Sequence, residues 1–228
     1  MPFFSIYALS VEEQAMKDMA KLTEMVFIMD KSGSMAGLED DTIGGFNSMI
    51  EKQKNIPGKV YVTTVLFDTA IKTIHNGVDI KDIHPMTRED YTAGGCTALL
   101  DAVGTTITSV RARQKTMNEK PCHTIIVIIT DGAENASREY SYMEVQKMIR
   151  NRKRNSGWEF IFLGANIDAA RTACSIGINE DRAVDYLADQ KGVALNFAAI
   201  GTALNSLREK GIITEEWRCE IDNDFRRR

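Results

Sequence analysis

Two apolar runs, each ending in an aspartate, constrain this chain more than any other feature. Residues 124–130 read Thr-Ile-Ile-Val-Ile-Ile-Thr and stop at Asp131-Gly132; residues 25–29 read Met-Val-Phe-Ile-Met and stop at Asp30. Neither run alternates between apolar and polar, so each reads as a strand buried on both faces, the pattern of parallel sheets covered by helices. A central strand of that kind delivers the residue at its carboxyl end to the edge where open α/β sheets hold their ligands. After Asp30 come Ser32 and Ser34 on a glycine-containing turn. One carboxylate and two hydroxyls on a tight loop are hard oxygen donors suited to Mg²⁺ or Mn²⁺.

Around these strands the chain alternates between the two periodicities. Residues 22–29 form the first core strand. Residues 38–53 read as a helix, with Ile43, Phe46, Met49 and Ile50 at helical spacing and Pro57-Gly58 as the stop. Gly44 and Gly45 weaken that helix by roughly 1 kcal/mol each relative to alanine. They point to close packing near the metal loop or to a delayed helix start. Residues 59–67 and 70–75 read as a hairpin across Asp68-Thr69, followed by a turn at Asn76-Gly77. Residues 78–83 fit a short strand or an irregular connection. A polar loop over 90–97 leads into an amphipathic helix over 98–111. Further helices are expected at 141–152, 168–174 and 189–209, with strands at 158–163 and 183–186.

This rhythm predicts a doubly wound α/β sheet, mostly parallel, with residues 70–75 as one antiparallel edge strand and helices on both faces. The expected organisation is an N-terminal extension over 1–20, one domain over 21–210, and a frayed polar C-terminal tail over 211–228. The extension could add a short strand or helix, and Trp217 is the one residue expected to pin the tail. No internal repeat or linker stands out.

The 228 residues suit one large domain, and 43% hydrophobic with 26% charged residues is an ordinary globular balance. A net charge of −4 gives no reason to expect nucleic acid as the main partner. Cys96, Cys122, Cys174 and Cys219 form no CxxC pair, so thiolate metal spacing is absent and buried or incidental reduced thiols are expected. No apolar run approaches the length of a membrane span, and Glu12, Glu13, Lys17 and Asp18 interrupt the amino-terminal stretch. A cytoplasmic protein without membrane contact is the expectation.

Two further loops complete the pattern begun at Asp30. One is Gly94-Gly95-Cys96-Thr97-Ala98-Leu99, with Thr97 just before a helix; the other is Thr130-Asp131-Gly132. DxSxS, a distant threonine and an aspartate in a TDG turn together resemble the metal-ion-dependent adhesion site of the von Willebrand factor A domain family. All five positions are matched in family order, and the resemblance covers approximately residues 20–210. It implies a Rossmann-like fold and a bound Mg²⁺ or Mn²⁺. Ser32, Ser34 and Thr97 would be hydroxyl ligands, with Asp30 and Asp131 acting directly or through water. It further implies a partner protein whose Asp or Glu completes the metal shell, and no catalysis. Stand-alone bacterial or phage-type members are the nearest in kind. Individually the three motifs are ordinary turns and helix caps; their conjunction on two apolar strands is what carries the reading.

Other chemistries fit less well. An EF-hand beginning at Asp30 would need glycine where Met35 stands and glutamate where Asp41 stands. No GxxxxGK[ST] loop occurs. A metal-dependent hydrolase or phosphotransferase using Asp30 is the alternative, but a haloacid dehalogenase-type site would place a second aspartate at Ser32. His75, His84 and His123 adjoin no nucleophile motif, so structural roles are expected. Cys96 beside Thr97 reads as a small apolar filler rather than a reactive thiol. The cluster Arg150-Asn-Arg152-Lys153-Arg154 reads first as a solvated helix C-terminus and only second as a nucleic-acid or anionic-protein patch, with no interleaved aromatics to stack on bases.

Overall fold

The computed structural model describes residues 22–227; the proposed extension over residues 1–20 lies outside them. Its six strands are β1 (Thr23–Asp30), β2 (Val60–Phe67), β3 (Ile71–Asp79), β4 (His123–Thr130), β5 (Glu159–Ala165) and β6 (Ala183–Tyr186). They form one sheet in the order β3-β2-β1-β4-β5-β6. Every pairing is parallel except β2 with β3, as the sequence pattern predicts. The helices are α1 (Glu39–Lys54), α2 (Leu99–Thr116), α3 (Tyr142–Ser156), α4 (Ala169–Ser175), α5 (Gln190–Lys210) and α6 (Cys219–Arg227).

The two-residue period of β1 sorts its side chains onto both layers. Met25, Phe27 and Met29 face a core with Phe46 and Met49 of α1 and Phe197, Ile200 and Leu204 of α5. Val26 and Ile28 face a second core with Leu99 and Val103 of α2, Val145 and Ile149 of α3, and Ala169 of α4. All five are fully buried. The chain reverses its winding direction between β1 and β4, so the carboxyl ends of those two strands open onto the topological switch point. Asp30 ends β1 and Asp131 immediately follows β4.

Three local expectations change. Residues 76–77 are not a turn: β3 runs through to Asp79, with a register shift opposite Val62 and Thr64. Gly77 has φ +65°, and a Cβ there would lie 2.6 Å from the Arg113 guanidinium. The Asn-Gly pair therefore makes a bulge over which an arginine passes. Gly45 does serve close packing, but against α5, since a Cβ there would sit 2.3 Å from the Phe197 ring; the helix start is not delayed. Residues beyond 210 are not a frayed tail. A 3₁₀ turn at Glu215–Arg218 leads into α6, and Trp217 and Ile221 are buried in the same core as α5.

His75 has the structural role expected of it. Its ring nitrogens meet Thr64 Oγ1 at 3.1 Å and the His84 carbonyl at 3.2 Å. Burial lowers its pKa below 6.5, against the weaker opposing influence of the His84 carbonyl and Asp90. The unfolded chain therefore takes up the proton first, so this contribution to stability is full above pH 6.5 and declines as the pH falls below it. Urea midpoints should fall between about pH 7.5 and 5.5, and His75→Gln should flatten that slope. Equal slopes would remove His75 as the cause. All four cysteines are free and exposed, so they are incidental rather than buried thiols, and Cys96 does not fill the apolar gap expected of it.

Candidate metal centre

The loop after β1 is held from three sides. The Lys31 amide donates to the Phe67 carbonyl at 2.7 Å, carrying the β1–β2 ladder one residue past the strand. The Lys31 carbonyl accepts from Gly94 at 2.8 Å, and the Gly33 amide donates to Gly95 at 3.1 Å. The glycine loop is thereby laid against the DxSxS turn. Gly95 has φ +73°, a conformation glycine adopts without strain. Met35, only 1% exposed, anchors the far side of the turn in the core.

Within this frame the five expected residues come together. Asp30 Oδ1 accepts the Ser32 amide at 2.7 Å, and Oδ2 accepts the Thr130 hydroxyl at 2.5 Å. The Ser32 and Ser34 hydroxyls lie 3.1 Å apart, and Ser34 Oγ donates to Asp131 Oδ1 at 2.6 Å. Thr97 enters from the loop before α2. A Cβ built on Gly132 would lie 3.2 Å from Thr97 Oγ1 and 3.4 Å from Ser34 Oγ, so both hydroxyls crowd one point beside Asp131. Asp30, Ser32, Thr97 and Asp131 are each at most 2% exposed, while Ser34 opens to solvent.

Electrostatically this is a place that wants a cation. Burial pushes the Asp131 carboxyl above its ordinary value; the Ser34 hydrogen bond offsets part of that, and the nearby Asp30 charge adds to it. Burial also raises Asp30, partly offset by hydrogen bonds from Thr130 and Ser32, with Asp68 adding a little repulsion. Asp131 Oδ2 is buried without a hydrogen-bond partner. An unpartnered carboxylate oxygen in the interior costs free energy unless something positive meets it. Two carboxylates and three hydroxyls at this spot fit a hard divalent cation. Among the described residues no group of three or more His, Cys, Asp or Glu is placed to hold a metal. A cation held here would therefore need the serine and threonine hydroxyls as well as the two carboxylates.

The supporting residues were mostly hidden from sequence reasoning. Thr130 orients Asp30 from the adjacent strand, and the one hint was its polarity at the end of an apolar run. The Tyr91 hydroxyl donates to the Asp30 carbonyl from 61 residues away. Lys31 pairs with Asp68 across the β1 and β2 ends. The Thr97 amide donates to Asn135 Oδ1 at 2.9 Å, and its carbonyl accepts from Asn135 and Ala136. Glu134 accepts from Leu100, Ala136 and Ser137, while Asp101 accepts from the amides of Arg138, Glu139 and Tyr140. These two carboxylates staple the loop after β4 to the start of α2 and so hold Thr97 beside Asp131.

A doubly wound, mostly parallel sheet with one antiparallel edge strand and helices on both faces is a Rossmann-like α/β fold of von Willebrand A type. Among solved structures, the chain is similar to proximal thread matrix protein 1 from the mussel byssus, with a TM-score of 0.57 and 14% identity. A second crystal form of that protein matches with a TM-score of 0.53 and 13% identity. Each match covers 81% of this chain and 46% of that chain. At such identity the likeness establishes the fold alone. No family model and no curated protein matches the sequence. Among the described residues no helix is long and apolar enough to cross a membrane.

Proposed function

We propose that this chain is a von Willebrand A-family domain whose Asp30, Ser32, Ser34, Thr97 and Asp131 bind Mg²⁺ or Mn²⁺. The bound metal is presented to a partner protein. The observation that carries the reading is the buried, unpartnered Oδ2 of Asp131, with its other oxygen on Ser34 and the Thr97 hydroxyl close by. The Asp30 oxygens are already engaged by Ser32 and Thr130, so Asp30 acts through water and holds the loop in shape. The metal supplies an open coordination position that an Asp or Glu of the partner completes. Few protein donors of full charge and one solvent-facing ligand, Ser34, favour that role.

A binding module accounts for the site better than an enzyme. An Asp30 nucleophile would need a free carboxylate oxygen, and both of its oxygens are in hydrogen bonds of 2.7 Å or shorter. A cytoplasmic protein of bacterial or phage type remains our reading of the sequence.

The test is calorimetric titration of the purified chain with MgCl₂ and MnCl₂. One ion per chain should bind, and Asp131→Ala should abolish the heat while circular dichroism stays unchanged. Capture of a partner from native lysate in Mg²⁺ but not EDTA should follow. Absence of metal binding, or binding unaltered in Asp131→Ala, would sink the proposal.

A further inference from the structure

The charge cluster at residues 150–154 becomes more than a helix end once the fold surrounds it. Between α2 and α3 lies a cleft of about 390 Å³ lined by Arg111 and Lys115 of α2, Lys120 of the following loop, and Arg152 of α3. On the other flank of α3 a second cleft, of about 670 Å³, is lined by Arg150, Lys153 and Arg154 and by the loop after α4. Three elements thus converge seven cations on one face, at the amino ends of β4 and β5. The candidate metal centre lies at the opposite end of those strands, roughly 25 Å away at 3.3 Å per residue over eight residues.

None of the seven is in an ion pair with a described carboxylate. Two acids on this side of the molecule are committed elsewhere: Glu119 pairs with Lys59 at 2.9 Å, and the buried Glu24 pairs with Arg113. Helix C-terminal dipoles account for Lys115, Lys153 and Arg154 in the last turns. They do not account for Arg111, Arg150 and Arg152, which precede those turns, or for Lys120, which lies beyond α2. Arg152 is also fixed, its guanidinium 5.8 Å from the centre of the buried Trp158 ring and 3.2 Å from Ser156 Oγ. It is held near enough to Arg111 for the two like charges to repel. In a chain of net charge −4, seven cations gathered this way without a described carboxylate partner make a surface suited to an anion.

The shape favours one kind of anion. Clefts on both flanks of α3 spread the cations over α2, the loop after it and both sides of α3, a helix spacing of roughly 8–10 Å plus the width of α3, farther than one phosphate reaches. The large exposed apolar side chains, Tyr142, Met143, Ile212 and Phe225, line neither cleft, so the apolar anchors of a protein interface are missing. Guanidinium forks with Asn155, Ser156 and Asn179 beside them suit successive phosphates. We propose that this face binds the phosphate backbone of nucleic acid, without reading its bases.

Fluorescence anisotropy with labelled 20-mers of DNA and of RNA tests this. Both should bind, with log K falling against log salt at a slope of about −3, as four or five phosphates at roughly −0.7 each require. Lys115→Glu/Lys120→Glu, on exposed side chains, and Arg150→Glu/Arg154→Glu should each weaken binding at least about tenfold, since each reversal removes two phosphate contacts. Lys52→Glu/Lys81→Glu and Asp30→Ala should leave it unchanged, which keeps this result separate from the metal site. A slope near zero, or cleft variants that bind like the wild type, would overturn the proposal. So would displacement by equimolar ATP, which indicates a small phosphate ligand, or by poly-glutamate, which indicates an acidic protein.

Discussion

Saturating the chain with Mg²⁺ at about a hundred times its dissociation constant is expected to raise the melting temperature by roughly 5–11 °C. Binding to the folded state alone contributes about 2.7 kcal/mol at that ratio, and about 1 kcal/mol moves a domain of this size by 2–4 °C. Asp131→Ala should remove that rise entirely. In EDTA the same substitution should cost little or even stabilise, because it deletes a buried oxygen without a partner and relieves the repulsion from Asp30. The opposite signs in the two buffers are the diagnostic result. A melting curve indifferent to Mg²⁺ in the wild type, or a variant that still responds, would show that these side chains do not hold the ion.

The second large effect lies at the amino end of the sheet. Glu24, 0% exposed on β1, accepts from Arg113 of α2, and its other oxygen accepts from Gln114 at 2.7 Å. Arg113 also donates to Asn76 and, at 2.9 Å, to Thr63. Arg113→Met leaves the glutamate buried and uncompensated, which should cost about 3–5 kcal/mol in urea unfolding. Glu24→Met combined with Arg113→Met should recover the larger part, since a well-packed apolar pair removes the unpaired charge. If the single variant lies within about 1 kcal/mol of the wild type, or the double is no better than the single, the pair is not the strut we describe.

The two effects sit at opposite ends of β1. Between them runs a strand buried on both faces, so both ends are held by one rigid element. Asp30 and Glu24 are the charged residues it carries. One is oriented by the Thr130 hydroxyl and the Ser32 amide beside the candidate cation site; the other is neutralised by a guanidinium. A buried strand tolerates a carboxylate only with such compensation, and apart from the Ser32 amide the compensating groups come from distant parts of the chain.

Local pattern was enough for the architecture. Apolar runs without alternation, separated by helical spacing, predict the doubly wound sheet, its antiparallel edge and most of its elements to within a few residues. DxSxS, Thr97 and Asp131 could be picked out as a candidate site because their conjunction resembles that of a known family, and because Asp30 and Asp131 follow apolar runs that read as strands. Tertiary structure decided what depends on residues far apart in sequence. Tyr91 reaches Asp30 across 61 residues, Thr130 across 100, and Arg113 crosses 37 residues to turn Asn76-Gly77 from a turn into a bulge. The C-terminal residues read as a tail because they are polar, yet Trp217 and Ile221 found a core already built by α5. The cations at residues 150–154 likewise read as a helix end until packing set them beside those of α2. Periodicity reports which face of an element is buried; only the assembled sheet determines which residues that face meets.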